Sequence, residues 1–163
     1  MKKVLIVEDE ILARLGLRQL VDWRKLELEL LPDATDGEEA LKMIRNSCPD
    51  IILLDLNIPK VSGLEILEFL KKEEMPTKVI IVSCQEEFDV VKKAMKLGAY
   101  DYLRKLNLSS DELENILEKC LGETEERNTV HMQGIREIRY EEIVRDSRDI
   151  LAGACNYQTL ICI

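Results

Sequence analysis

The chain has 163 residues, 46% of them hydrophobic and 34% charged, which is enough for one packed domain and an appendage. A formal net charge of −9 makes its surface a poor match for nucleic acid. No apolar run is long enough to span a membrane and no signal peptide opens the chain. Five cysteines without CxxC spacing, beside a single histidine, speak against a zinc site and for reduced thiols in the cytoplasm.

The first element, "KKVLIVEDE", is a short apolar run that ends in acids. "ILARLGLRQLVDW" follows with helical spacing and is predicted to bury Ile11, Leu15, the stem of Arg18, Leu20 and Val21. "LELELL" alternates as a strand. "DGEEALKMIRNS" reads as a helix that Asp36 caps, with Glu39 three residues on and Ala40, Met43 and Ile44 on one face. "DIILLD" is an uninterrupted apolar strand, the mark of a strand covered on both faces. "GLEILEFLKKEE" is helical, with Leu64, Leu67 and Leu70 on its inner side. "TKVIIVS" is a second buried strand, and "EEFDVVKKAMKLGA" is a helix closed by Gly98. "YDYLRK" is a short strand, and "SSDELENILEKCL" opens a last helix at a Ser/Asp cap. Five such strand–helix units predict an α/β fold, a doubly wound five-stranded parallel sheet with helices on both faces.

Ligands of open parallel sheets sit beyond the carboxyl ends of the strands, at the switch in strand order. Here the first strand ends on Glu8, Asp9 and Glu10, the third on Asp55, the fourth on Ser83 and the fifth near Lys105. The fold therefore brings carboxylates, one hydroxyl and one ammonium to one edge. Carboxylates in close quarters repel, and an oxygen-seeking divalent cation relieves that repulsion. Mg²⁺ takes one or two carboxylates and leaves positions for phosphate oxygens. Asp55 then reads as a nucleophile able to form an aspartyl phosphate, with the metal, Lys105 and Ser83 left to meet the phosphoryl oxygens. The loop after Asp55 supplies the backbone carbonyl of Asn57 to the metal. No other carboxylate is expected within reach of both Lys105 and the metal. Taken singly, Asp9 also reads as a helix N-terminal acid, Ser83 as a strand-end cap, Lys105 as a surface lysine and Tyr102 as core.

The motifs "LIVEDE", "ATDGEEAL", "PDIILLDLNIP" with "SG", "VIIVS" and "GAYDYLRK", in that order, resemble the receiver domain of a two-component response regulator over residues 1–121. The wording around Lys105 is similar to receivers joined to AraC-type helix-turn-helix regulators. The resemblance implies a flavodoxin-like receiver fold and a switch rather than an enzyme with turnover. It implies a sensor histidine kinase as phosphoryl donor and transcription regulation, with DNA contacted through a separate output domain only. Residue by residue, it implies that Glu8 and Asp9 form an acidic pocket with Asp9 a direct Mg²⁺ ligand, Asp55 the phospho-acceptor and the Asn57 carbonyl a further ligand. Ser83 would be the switch hydroxyl, Tyr102 the switch aromatic and Lys105 the phosphate-binding lysine. It also implies homodimers through the fourth helix, fifth strand and fifth helix, near Lys92, Asp101 and Arg104.

The chain departs from the family pattern at several positions. Glu8 stands where Asp is commoner and is expected to reach the metal through water. Cys84 replaces a small residue, is expected to be buried and inert, and narrows the path to Asp55. Asn57 and Gln85 occupy variable positions beside the acceptor and suggest a slow to intermediate loss of phosphate. Leu106 replaces the usual proline after the lysine. A cis bond costs about 2.5–4 kcal/mol before a non-proline residue against about 0.5–1 before proline, so Lys105–Leu106 is expected to be trans. A haloacid-dehalogenase-like phosphatase also uses an Asp nucleophile with Mg²⁺, but it needs a second Asp where Asn57 stands. A non-phosphorylated interaction domain is the other alternative.

Beyond Leu121 the sequence says less. Residues 122–135 read as a linker holding His131, and residues 136–152 as an amphipathic helix with Tyr140, Ile143, Val144, Ser147 and Leu151 at helical spacing. Residues 156–163 read as a strand that starts a truncated following domain.

Overall fold

The computed structural model describes residues 1–84 and 87–122. Five strands and five helices alternate: β1 (Lys2–Val7), α1 (Ile11–Leu20), β2 (Leu28–Leu30), α2 (Gly37–Ser47), β3 (Ile51–Leu54), α3 (Gly63–Lys72), β4 (Lys78–Ser83), α4 (Phe88–Lys96), β5 (Asp101–Arg104) and α5 (Ser110–Gly122). A single 3₁₀ turn, Lys105–Asn107, joins β5 to α5. The strands form one parallel sheet in the order β2-β1-β3-β4-β5, as the alternation predicts. The reading of residues 122–135, 136–152 and 156–163, with His131, lies outside the described residues apart from Gly122, which ends α5.

The unbroken apolar strands explain the two-sided architecture. Along Val4–Val7 of β1, all of β3 and Val79–Val82 of β4, successive residues point to opposite faces and all of them are apolar, so both faces must be covered. Leu5, Val7, Ile52, Leu54, Val79 and Ile81 pack on one face with Ala40 and Ile44 of α2, Ile66, Leu67 and Leu70 of α3 and Ala94 of α4. Val4, Ile6, Ile51, Leu53, Ile80 and Val82 pack on the other with Leu17 of α1 and Leu113, Ile116 and Leu117 of α5.

Two helix faces differ from the expected ones. In α1, Ile11 and Leu15 are exposed, at 64% and 48%, and the buried positions are Leu17 and, past the helix end, Val21 and Trp23. This helix carries two apolar stripes at helical spacing, and the sheet covers the one through Leu17. In α3, Ile66 is buried and Leu64 only partly so. The second strand is shorter than its alternation suggests, because Trp23 to Glu27 are spent in turns and Glu27 takes a left-handed φ of 55°.

Helix ends follow local chemistry. Asp36 accepts the Glu39 amide at 2.9 Å, as expected, whereas the Glu39 carboxylate turns back to Thr35. Ser62 and Glu65 form a reciprocal capping box at the start of α3. Replacing Ser62 with Ala is expected to cost about 1 kcal/mol, read from urea unfolding; an unchanged midpoint would show the cap to be idle. Gly98, at φ 103°, closes α4 in the left-handed conformation that glycine adopts freely.

Candidate functional site

The strand order reverses between β1 and β3, so their carboxyl ends border the sheet's crevice. Val7 pairs with Leu54, and the Asp55 amide donates to the Val7 carbonyl at 3.0 Å. That register sets Glu8 beside Asp55. Ser83 ends the next strand and pairs with Arg104, which places Lys105 one residue beyond the edge. Four strand ends thus converge, and the side chains expected from the sequence meet there.

Asp55, 5% exposed, is held by donors on both oxygens. The Ser83 hydroxyl donates to Oδ1 at 2.7 Å and the Asn57 amide to the same atom at 3.1 Å. The Lys105 ammonium donates to Oδ2 at 2.7 Å. It also lies 2.8 Å from Oε2 of Glu8, which is 1% exposed. The expectation that no carboxylate besides Asp55 comes within reach of both Lys105 and the acidic cluster is therefore corrected. Glu8 is long enough to run beneath the lysine and share its charge.

Glu8, Asp9 and Asp55 each present an oxygen within 4.8 Å of the others. Burial pushes the Glu8 carboxyl above its ordinary range, against the opposing pull of Lys105 and the Glu10 amide. Burial pulls the Lys105 ammonium down, but its hydrogen bond to Asp55 and its contact with the Glu8 carboxylate outweigh this and raise it. Glu8 Oε2 is wholly buried and has no aligned hydrogen bond; the Lys105 contact there is an ion pair. A buried anionic oxygen left in that state, among three hard carboxylates, suits a divalent cation with oxygen preference. The donor set fits Mg²⁺.

The raised Glu8 carboxyl has a consequence for the metal-free protein. The folded state keeps this proton at pH values where the unfolded chain has released it. Its contribution to stability is present below the ordinary value of 4.5 and is lost as pH rises through the folded one. In chelator at pH 7, Glu8→Gln is thus expected to melt above the parent, with the gap closing toward pH 4. A variant that melts lower at pH 7 would show that the Lys105 contact outweighs the burial.

The loop that carries Asn57 is braced from the side. The Gly37 amide donates to the Pro59 carbonyl at 3.1 Å, and Lys60 reaches Asp36 at 2.6 Å. That bond holds the Asp36 carboxyl below its usual range and raises the Lys60 ammonium. A Cβ on Gly63 would come within 2.6 Å of the Asp55 carbonyl, so glycine is required behind the acceptor.

Other expectations have mixed outcomes. No peptide bond among the described residues is cis, so Lys105–Leu106 is trans as expected, and Leu106 is 78% exposed on the 3₁₀ turn. Cys84 is exposed, not buried. It is the first residue past β4 and leaves the sheet edge that covers Ser83. Tyr102 is half-buried against the core with Ile81. Asp101, expected at a pairing surface with Lys92 and Arg104, is 7% exposed, and its carboxylate accepts the Tyr102 amide. Asn57 itself is exposed.

One contributor escaped the sequence reading. Arg14 donates to the carbonyls of Glu8 and Asp9 at 2.8 and 3.2 Å. The signal was its place in the first turn of α1, since helical side chains lean toward the N-terminus and a long one there reaches back over the preceding loop.

Residues 4–118 match the family model described as "Response regulator receiver domain". An uncharacterized response regulatory protein of Staphylococcus epidermidis is 34% identical over 118 residues, 72% of this chain and 46% of its own length. The nitrate/nitrite response regulator protein NarL of Escherichia coli is 30% identical over 120 residues, 74% of this chain and 55% of its own length. The chain therefore spans about half the length of these relatives. Among solved structures, the receiver domain of AraT, a response regulator from Geobacillus stearothermophilus, superposes with a TM-score of 0.66 at 32% identity, covering 73% of this chain and 92% of that one. The flavodoxin-like sheet, the acidic edge and the match over residues 4–118 agree, and the chain belongs to the response regulator receiver family.

Proposed function

We propose that Asp55 accepts a phosphoryl group from the phosphohistidine of a sensor histidine kinase. The observation that carries this reading is one carboxylate contacted by both Ser83 and Lys105 at 2.7 Å and gathered with Glu8 and Asp9. An Asp55 oxygen attacks phosphorus, the new O–P bond forms and the P–N bond to the donor imidazole breaks, with its electron pair returning to the ring nitrogen. Lys105 stays paired through its contacts to Glu8 and Asp55 and meets charge on the transferred group. Ser83 turns its hydroxyl from Asp55 Oδ1 to a phosphoryl oxygen. Glu8, Asp9, Asp55 and the Asn57 carbonyl would hold Mg²⁺, which when bound draws charge from the phosphoryl oxygens.

The turn of Ser83 leaves space beside β4 into which Tyr102 moves, and the two positions of this pair bias two states of the domain. The output is transcription regulation through a DNA-binding domain, of the AraC helix-turn-helix type. Support for regulation comes from relatives such as NarL; the AraC type and a cytoplasmic setting rest on the sequence resemblance. Pairing of two copies through α4, β5 and α5 rests on the same resemblance, with Lys92 and Arg104 as its remaining surface residues. We assign residues 1–121 to the receiver.

The test is treatment of the full chain with an acyl phosphate, with Mg²⁺ or with chelator, followed by intact mass measurement. One added phosphoryl group that requires Mg²⁺ is expected. No addition, or equal addition in chelator, would overturn the reading.

A further inference from the structure

We propose that Arg14 is a positioning residue for the acidic pocket, acting through the backbone of Glu8 and Asp9; this rests on the metal reading given above. Arg14 leaves α1 toward the loop before it and is 16% exposed. One terminal nitrogen, Nη1, donates to the Glu8 carbonyl at 2.8 Å and to the Asp9 carbonyl at 3.2 Å. Its Nε lies 3.7 Å from Oδ2 of Asp33, whose other oxygen accepts from Arg18 at 2.5 Å. The guanidinium is thus held from behind by a carboxylate that is itself anchored. In front it spans two successive carbonyls belonging to the residues that supply carboxylates to the pocket.

A carbonyl pinned in this way fixes its peptide plane, and with it the direction in which the adjoining side chains leave the backbone. Glu8 is further held by its amide, which donates to Ala34 at 3.0 Å, and by Oε1, which accepts from the Glu10 amide at 3.1 Å. Arg14 extends this bracing to Asp9. A planar guanidinium suits the task because its donors are rigidly spaced, whereas an ammonium is a single point.

Charge and positioning predict opposite signs. A cation beside three carboxylates repels an incoming Mg²⁺, so if Arg14 acted by charge its removal would tighten metal binding. If Arg14 aims the ligands, its removal weakens binding. The full chain is titrated with Mg²⁺ alone, followed by amide NMR shifts, with a thermal melt of each variant to verify folding. Arg14→Gln is expected to bind about tenfold more weakly, as loss of an outer partner of a metal ligand does. Arg14→Lys, with the same charge, is expected to weaken binding as well, and it decides the matter if Arg14→Gln fails to fold. Affinity equal to or above the parent's in Arg14→Gln, or equal affinity in Arg14→Lys, would overturn the proposal. A parent that binds no Mg²⁺ would overturn the metal reading and this inference with it. Binding that Asp9→Asn abolishes but Arg14→Gln leaves unchanged would overturn this inference alone.

Discussion

Asp55→Asn is expected to take up no detectable phosphoryl group from an acyl phosphate under conditions that load the parent fully. The amide keeps the shape of the side chain and can still meet Ser83, so the fold should survive, but it lacks the anionic oxygen that attacks phosphorus. Among the described residues, Glu8 is the one rival that also touches Lys105. Its Oε1 is committed to the Glu10 amide and its side chain is 1% exposed, against 5% for Asp55. Intact mass of the variant, with peptide mapping of any labelled product, checks both points. Label retained at parental levels would remove Asp55 from the role, and label found on Glu8 would make the lysine, not the aspartate, the fixed point of the site.

Gly37→Ala is expected to cause the largest loss of stability among single conservative changes near the site. A Cβ there would lie 1.9 Å from the Val61 carbonyl oxygen and 2.6 Å from the Val61 Cβ. The obstacle is largely backbone, so the α2 start or the loop after β3 must move. Overpacking of this kind costs about 3 kcal/mol at the upper end of its usual range. For a domain of this size that lowers the melting temperature by roughly 10 °C or more. The Gly37–Pro59 hydrogen bond would go with it, freeing the segment that carries Asn57. A melt within about 2 °C of the parent would show that the loop yields freely and is no brace.

What the sequence could reveal here depended on whether one physical constraint dominated. Ile51 to Leu54 read as a doubly covered strand because no polar residue breaks the run, and all four are buried. Asp55, Ser83 and Lys105 were legible because each ends a strand, and a parallel sheet gathers such ends without further information. Helix α1 was misread because Ile11 and Leu15 compete with Leu17, and only docking against the sheet decides between the stripes. Cys84 was misplaced because apolar character suggested burial one residue past the point where the strand stops. The second partner of Lys105 was missed because a Glu at position 8 differs from Asp by its reach, which pattern does not measure.

The site also draws its parts from the whole length of the domain: Lys105 and Asp55 are 50 residues apart in the chain, and Glu8 directly follows the first strand. No partly folded segment contains a usable fraction of it. Mg²⁺ should therefore bind the native state and ignore the unfolded one, which makes the ion a thermodynamic ally of the complete fold. At a hundredfold excess over its dissociation constant, such a ligand adds about 2.7 kcal/mol to the free energy of unfolding. Raising Mg²⁺ concentration should accordingly move the whole unfolding transition upward as one cooperative step, so that a melting curve doubles as a binding isotherm.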